Sequence, residues 1–434
     1  MTTNRPIPIA LLLTLATLAG CSSDDGDDIF TPPIGTPDTG WTAVAAGAEH
    51  ACGLWGDGIA YCWGSNERGQ LGVGTLAVSS SAEPARVETE LRFEALALGQ
   101  SHSCGLTAGG DVHCWGENAL GQLGDGTDVD AAAPVAVDSD QDFTALSAGA
   151  YHTCALAAGG TAWCWGGGGQ SEDGRDLALG FIPPDSCTVG SYFSPRCSLV
   201  PRPVGGGLTF AGISAGLFHT CGVTPAGAPY CWGWNQGQLG NGEEHTAASE
   251  TLPPGYVDPQ PLSGQFGFAS ISAGGLHSCG VTAAGTAYCW GAARSGRGEL
   301  GTGDLLPHLV PEFVAGDLTL RSVEAATMNS IYNLYSCGLD DEGGAWCWGA
   351  NRQGQLGAAS PDTCGADIPC ALSPQPVSGE HRFDAIAIGL EFTCGVAEDE
   401  SAWCWGVNDL GQLGDGGSGS TATPVRVLDP PETP

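Results

Sequence analysis

The residues best placed to do chemistry are sulfurs. Of 19 cysteines, 14 fall in seven pairs, each ten positions apart and followed by Trp-Gly: Cys52 and Cys62, Cys104 and Cys114, Cys154 and Cys164, Cys221 and Cys231, Cys279 and Cys289, Cys337 and Cys347, Cys394 and Cys404. Spacing this regular serves either oxidation to disulfides or thiolate ligation of zinc. Each unit brings only two sulfurs and no close second pair to complete a tetrahedron, so the pattern favours disulfides over zinc and over buried free thiols. Cys187 with Cys197 and Cys364 with Cys370 make two further pairs, and Cys21 is left over. Five histidines recur in a Gly-x-x-His element just ahead of the first Cys: His50, His102, His152, His219 and His277. Units six and seven carry Tyr335 and Phe392 there, and replacement by rings argues for packing rather than for a metal or a catalytic role. No nucleophile elbow, phosphate loop or zinc-helix motif occurs, and no acid recurs at a fixed place in the repeat, which counts against a polysaccharide-cleaving cleft, the rival reading.

Two cysteines ten apart sit directly opposite each other on a hairpin whose loop has three residues. In the first unit Cys52 then faces Cys62, Gly53 faces Tyr61, Leu54 faces Ala60, and residues 56–58 form the turn. Such a loop wants a left-handed residue last, usually Gly. Six units comply, with Gly58, Gly110, Gly160, Gly227, Gly285 and Gly343, whereas the seventh has Glu400. The residue after the first Cys is Gly or Ala in every unit, and its cross-hairpin partner is Tyr, Trp or His, which predicts that this ring covers a bare backbone. The Cys-bearing face is apolar and the Trp of Cys-Trp-Gly points to the other, so neither face reads as solvated. Seven sheets buried on both sides are blades stacked around an axis.

The 434 residues carry 48 acidic against 13 basic side chains, for a formal charge of −35, and every cation is Arg. A field of that sign repels phosphate backbones and anionic headgroups, which excludes nucleic acid as a partner. A hydrophobic content of 42%, with 13 Trp, provides a core for most of the chain.

At the N-terminus, Arg5 precedes the apolar run Ile7 to Leu18, too short to span a bilayer, and Leu18-Ala19-Gly20-Cys21 follows. The segment resembles a bacterial lipobox, which implies diacylation of the Cys21 thiol. We therefore expect a lipoprotein signal peptide over 1–20 and an acidic Pro/Gly-rich tether over 21–40. The tether holds Asp24, Asp25, Asp27 and Asp28 with no calcium-loop register. The repeats then fill 41–429 and a tail 430–434.

After Cys-Trp-Gly most units continue with Asn and Gly-Gln-Leu-Gly: Asn66 with 69–72, Asn118 with 121–124, Asn235 with 237–240, Asn351 with 354–357, Asn408 with 411–414. Unit five reads Gly298-Glu299-Leu300-Gly301, and unit three has lost the pattern. With the Gly-x-x-His element, these features resemble the regulator of chromosome condensation repeat family, which implies an all-β fold: a seven-bladed β-propeller of four-stranded blades, here each with a hairpin disulfide. Family members include a nucleotide exchanger for a nuclear GTPase, a plant ultraviolet-B photoreceptor with clustered Trp and a secreted inhibitor of β-lactamases, so the fold does not name the activity. The photoreceptor's Trp and Arg are missing from the Gly-x-x-His slots, and an export signal with disulfides places an intracellular GTPase out of reach.

Connections at one point of the repeat emerge on one face. From Cys-Trp-Gly to the Pro before the next strand, units three (Gly166 to Pro203), four (Gly233 to Pro261) and six (Gly349 to Pro376) are longest, and two of these hold the extra Cys pairs. The longest displays Phe181, Tyr192 and Phe193 among Asp173, Asp176, Asp185 and Arg196, a mixture suited to protein recognition. The expected protein is thus a lipid-anchored, monomeric propeller of the cell envelope, on the outer membrane or cell surface. It is not an enzyme, needs no cofactor or metal, meets the membrane only through its anchor, and binds an envelope or extracellular protein through the long-loop face.

Overall fold

The computed structural model describes residues 40–167, 177–187, 196–244, 255–291, 296–327, 334–365 and 367–431. These lie in the compact unit Asp38–Pro434. The proposed anchor Cys21 and the tether to Thr39 lie outside them, as do Asp173, Asp176, Tyr192 and Phe193. No helix among them is long and apolar enough to cross a membrane.

Blade one shows the plan: β1 (Trp41–Ala46), β2 (His50–Trp55), β3 (Ile59–Ser65) and β4 (Ser80–Arg86) form an antiparallel sheet in chain order. Six further sheets repeat it, starting at Phe93, Phe143, Gly212, Phe268, Leu320 and Phe383. Blades three and six each gain a fifth, short strand. In blade three Asp185–Ser186 pairs with Arg196–Pro203, closed by Cys187–Cys197. In blade six Asp362–Cys364 pairs with Ile368–Pro376, closed by Cys364–Cys370.

Within each blade the second and third strands pair in the expected register. Cys52 lies opposite Cys62, Gly53 opposite Tyr61 and Leu54 opposite Ala60, and all seven pairs are bridged with Cα atoms 4.0 or 4.1 Å apart. Each unstrained ten-residue loop closed this way stabilises by roughly 2–3 kcal/mol. The turn glycines have φ between 80° and 96°, and Glu400 adopts the same left-handed region at 63° without the excuse of lacking a Cβ.

The ring over the small residue after the first Cys comes from the blade's innermost strand, not from the partner across the hairpin. A Cβ on Gly53 would meet the Trp41 ring at 2.6 Å, and on Gly105 the Phe93 ring at 2.5 Å. Phe210, Phe268 and Phe383 stand likewise over Gly222, Gly280 and Gly395, and Leu320 over Gly338. The physical reason is that directly opposed side chains on a hairpin stand side by side, whereas a large ring on the neighbouring first strand, offset along it, can lie flat across the gap a glycine leaves.

The first strands touch one another from blade to blade, blade seven meeting blade one, so they line the axis of a closed ring. Both faces of each sheet are buried. The disulfide face of one blade packs on the Trp and innermost aromatic of the next: Cys52 and Cys62 with Phe93 and Trp115, Cys337 and Cys347 with Phe383 and Trp405. At the seam Cys394 and Cys404 meet Trp41 and Trp63. Among the described residues no strand is exchanged across this seam, and the ring closes by the same packing of a disulfide face on the next blade's Trp and innermost aromatic that joins blades one and two.

Candidate functional site

The repeated motifs are joints between blades. The indole Nε1 of each Cys-Trp-Gly Trp donates to the backbone carbonyl of the Gln in the preceding blade's Gly-Gln-Leu-Gly. Trp115 bonds Gln70 at 2.9 Å, Trp165 bonds Gln122, Trp290 bonds Gln238, Trp405 bonds Gln355, and Trp63 closes the ring on Gln412. The last Gly of the motif must be bare, because a Cβ on Gly72 would lie 2.8 Å from Trp115 Nε1 and its φ is 68°. Unit three keeps this joint, contrary to the reading that it had lost the motif: Leu177-Ala178-Leu179-Gly180 takes the place, and Trp232 donates to Ala178 O at 2.9 Å. The joint to the Trp uses only a carbonyl and a bare Cα, which this segment supplies. In the other blades the side chain also accepts from the backbone N–H two residues earlier, as Gln70 does from Arg68 N at 2.9 Å. Glu299 keeps both roles, its carbonyl serving Trp348 and its carboxylate accepting from Arg297 N at 3.2 Å.

The histidines form a second joint, on the same carbonyls. His50 Nε2 lies 2.8 Å from Ser103 Oγ of the next blade, and Ser103 donates onward to Gln70 O at 2.9 Å. His102 with Thr153, His152 with Thr220, His219 with Ser278 and His277 with Ser336 repeat the arrangement. Since the hydroxyl proton goes to the carbonyl, the imidazole is the donor and its Nδ1 is bare; Nδ1 of all five has no hydrogen-bond partner. Burial holds these rings neutral, pushing His50, His102, His219 and His277 down to about 3 and His152 to about 4, with neighbouring histidines adding to the effect at His50, His102 and His219. These side chains are interlocks, and among the described residues no group of His, Cys, Asp and Glu could hold a metal ion.

The interlocks fix a ring of positions whose side chains are released from structural duty. In the antiparallel order, the connection between first and second strands and the long one between third and fourth leave by the same face. In six blades the residue just before the His, Tyr335 or Phe392 gives its carbonyl to the first amide after Cys-Trp-Gly: Ser65 N to Glu49 O, Glu117 N to Ser101 O, Gly167 N to Tyr151 O, Trp234 N to Phe218 O, Ala350 N to Leu334 O and Val407 N to Glu391 O. Backbone alone makes these bonds, so the side chains vary around the axial mouth of this face.

They vary in an organised way. On blades three and four, Tyr151 stacks on Phe218 at 6.0 Å, and Phe218 meets Trp234 edge-on at 5.2 Å, all three partly exposed. On blade one stands Glu49, exposed, and on blade seven Glu391, half-buried. Burial and then the nearby Glu67 hold the Glu49 carboxyl above its ordinary range. Burial raises Glu391 too, opposed by Arg352 and Gln353 and reinforced by Asp409 and Glu49. Glu117 on blade two is raised by burial, with Arg68 acting against it and Asp130 with it; Arg68 Nε is 3.9 Å from Glu117 and its Nη1 3.5 Å from Asp130.

The residues expected to contact a partner are distributed differently. Phe181 is half-buried against Leu179, Ala215 and Val204, filling the gap between blades three and four, because it follows directly on the segment that holds Trp232. Its neighbour Ile182 is 71% exposed. Asp185 accepts from Leu199 N at 3.2 Å and Arg196 donates to Pro183 O, so both brace the stapled hairpin. Sequence reasoning passed over Tyr151, Phe218 and Trp234, although the first two stand inside the Gly-x-x-His elements; the missing signal was that those slots share one ring.

Models of the regulator of chromosome condensation (RCC1) repeat match this chain, one over 57–106, 109–156 and 342–396, a second over 41–70, 93–122, 143–172, 268–297 and 383–412. The ultraviolet-B receptor UVR8 of Arabidopsis thaliana is 26% identical over 388 residues, covering 87% of this chain and 67% of the receptor. The mitochondrial RCC1 domain-containing protein RUG3 of the same plant is 30% identical over 321 residues, 72% of this chain and 66% of that protein. The chain thus spans about two thirds of both relatives. Among solved structures, Prp20p of Saccharomyces cerevisiae shares the fold with a TM-score of 0.71 at 20% identity, over 90% of this chain and 88% of that one. Seven blades joined by the repeat's own Trp and Gly-Gln-Leu-Gly pairs, together with these matches, show that the chain belongs to the regulator of chromosome condensation repeat family.

Proposed function

We propose that the chain is a lipid-anchored propeller of the cell envelope that captures another protein through the mouth of its long-loop face, as a monomer and without chemistry of its own. The observation that carries this reading is the ring of backbone-fixed positions, where Tyr151, Phe218 and Trp234 form a partly exposed aromatic pile on a rigid support. Rigid aromatics are what protein-recognition surfaces favour, since they bring contact area at little cost in conformational entropy. Propellers of this family bind proteins: Prp20p has binding properties toward Gsp1p and histones, and yeast RCC1 (Prp20) has been seen bound to Kap60. Export through the signal over 1–20 and acylation of Cys21 would place this chain among different partners, and disulfides persist there.

Two experiments test the reading. A Phe218→Ala/Trp234→Ala protein, crosslinked in intact cells and recovered under denaturing conditions, should lose most of the adducts formed by the parent; undiminished adducts would contradict the assigned face. Cys21→Ser should move the protein from the membrane to the soluble fraction, and continued membrane retention would remove the lipid anchor from the account.

A further inference from the structure

The mouth is two-sided. Over blades three and four lie the rings of Tyr151, Phe218 and Trp234. Across the axis, blades seven and one bring Glu391 and Glu49 onto the same face, and blade two, beside blade three, adds Glu117; burial is the first cause holding each above the ordinary carboxylate range. Arg352 and Gln353 act on Glu391 against Asp409 and Glu49, and Arg68 is shared between Glu117 and Asp130. Carboxylates set close enough to raise one another repel, and a cation entering among them relieves that repulsion. With all 13 cations Arg against 48 acids, the chain supplies few of its own. A partner meeting this face with complementary charge is also steered to it.

Resting on the reading of this face as a protein-binding surface, we propose that it takes a cationic, aromatic-bearing segment. Its apolar side chain lies against Phe218 and Trp234, and a Lys or Arg crosses the mouth to Glu49 and Glu391. The orientation is fixed, because neither half of the mouth offers what the other does.

The probe is a synthetic nonapeptide with an aromatic half and a Lys/Arg half, with two controls: one in which Glu replaces every cation, and one in which Ala replaces every ring. Binding to the disulfide-intact protein is followed by calorimetry. The cationic aromatic peptide should bind about tenfold tighter than either control. Added salt should weaken it, Glu49→Gln/Glu391→Gln should erase the preference over the charge-reversed control, and Phe218→Ala should erase the preference over the ring-free one. Equal binding of all three peptides, no binding by the cationic one, or a charge preference that survives Glu49→Gln/Glu391→Gln would overturn the proposal. So would a dimer in sedimentation that Phe218→Ala dissolves, since the rings would then be covered by a second copy. Failure here with in-cell crosslinks still mapping to the mouth leaves the protein-binding reading standing; crosslinks mapping elsewhere sink that reading itself.

Discussion

Phe392 stands where five blades have His, and the cause lies one blade on. Every blade from two to seven has Ser or Thr before its first Cys to receive the donor from its neighbour, but blade one has Ala51, fully buried beside Phe392. A histidine there would bury a donor with nothing to receive it. Tyr335 fits the same rule from the other side, its hydroxyl 3.1 Å from Thr393 Oγ1 while bonding Phe392 O. We therefore expect Phe392→His to cost about 1–3 kcal/mol and Ala51→Ser in that background to restore part of it. A denaturant double-mutant cycle would measure the coupling, and simple additivity would refute the joint. The residue scale offers a second test at Glu400, whose left-handed backbone at φ 63° the other six turns give to Gly. Glu400→Gly should stabilise by about 0.5–1 kcal/mol, read as a higher urea midpoint with unchanged slope.

At the scale of the element, the hairpins were legible because strand geometry leaves little freedom once two cysteines are bridged at a ten-residue spacing. Register, turn residue and double burial all followed from it. What spacing could not reveal was which blade each motif serves. Gly-Gln-Leu-Gly is written in one blade and used by the next, so its carbonyl, its bare Cα and the Trp they hold are some 45 residues apart in blades one and two, Gln70 to Trp115. Unit three looked degenerate because side chains carry sequence identity, whereas Ala178 needs only its carbonyl. The long loops were legible as insertions, but not the packing of their parts: Phe181 is half-buried beside Val204 between blades three and four, which the length of its loop did not reveal. Gly72→Ala should then destabilise more than a solvent-exposed glycine would, by about 2 kcal/mol or more, since the new methyl meets an indole at 2.8 Å in a left-handed backbone. A loss no larger than that of Gly207→Ala, where a Cβ meets nothing and the φ is 66°, would show that the joint is loose.

The whole molecule carries the sum of these joints, and its response to acid follows from them. Five buried histidines ionise near 3 or 4 when folded and near 6.5 when unfolded. The unfolded chain therefore binds more protons in between. Stability is whole above about pH 6.5 and each histidine removes about 1.4 kcal/mol per pH unit as pH falls toward the folded value. Glu324, beside the axis and bonded by Ser272 at 3.2 Å, works oppositely: burial pushes it up to about 7, so its contribution is whole below its unfolded value and lost as pH rises through the folded one. Glu324→Gln should raise the melting temperature at pH 8 and leave it nearly unchanged at pH 4; an equal shift at both would refute the sign. The proposed function depends on this rigid ring holding one face ready. The decisive measurement puts a photocrosslinking amino acid in turn at positions 218 and 234 of the mouth, and at positions 57 and 342 in turns of the opposite face, in living cells. Discrete protein adducts from the first pair and none from the second are the expected result. Adducts from the turns alone, or from neither pair, would contradict a propeller that works by binding through its long-loop face.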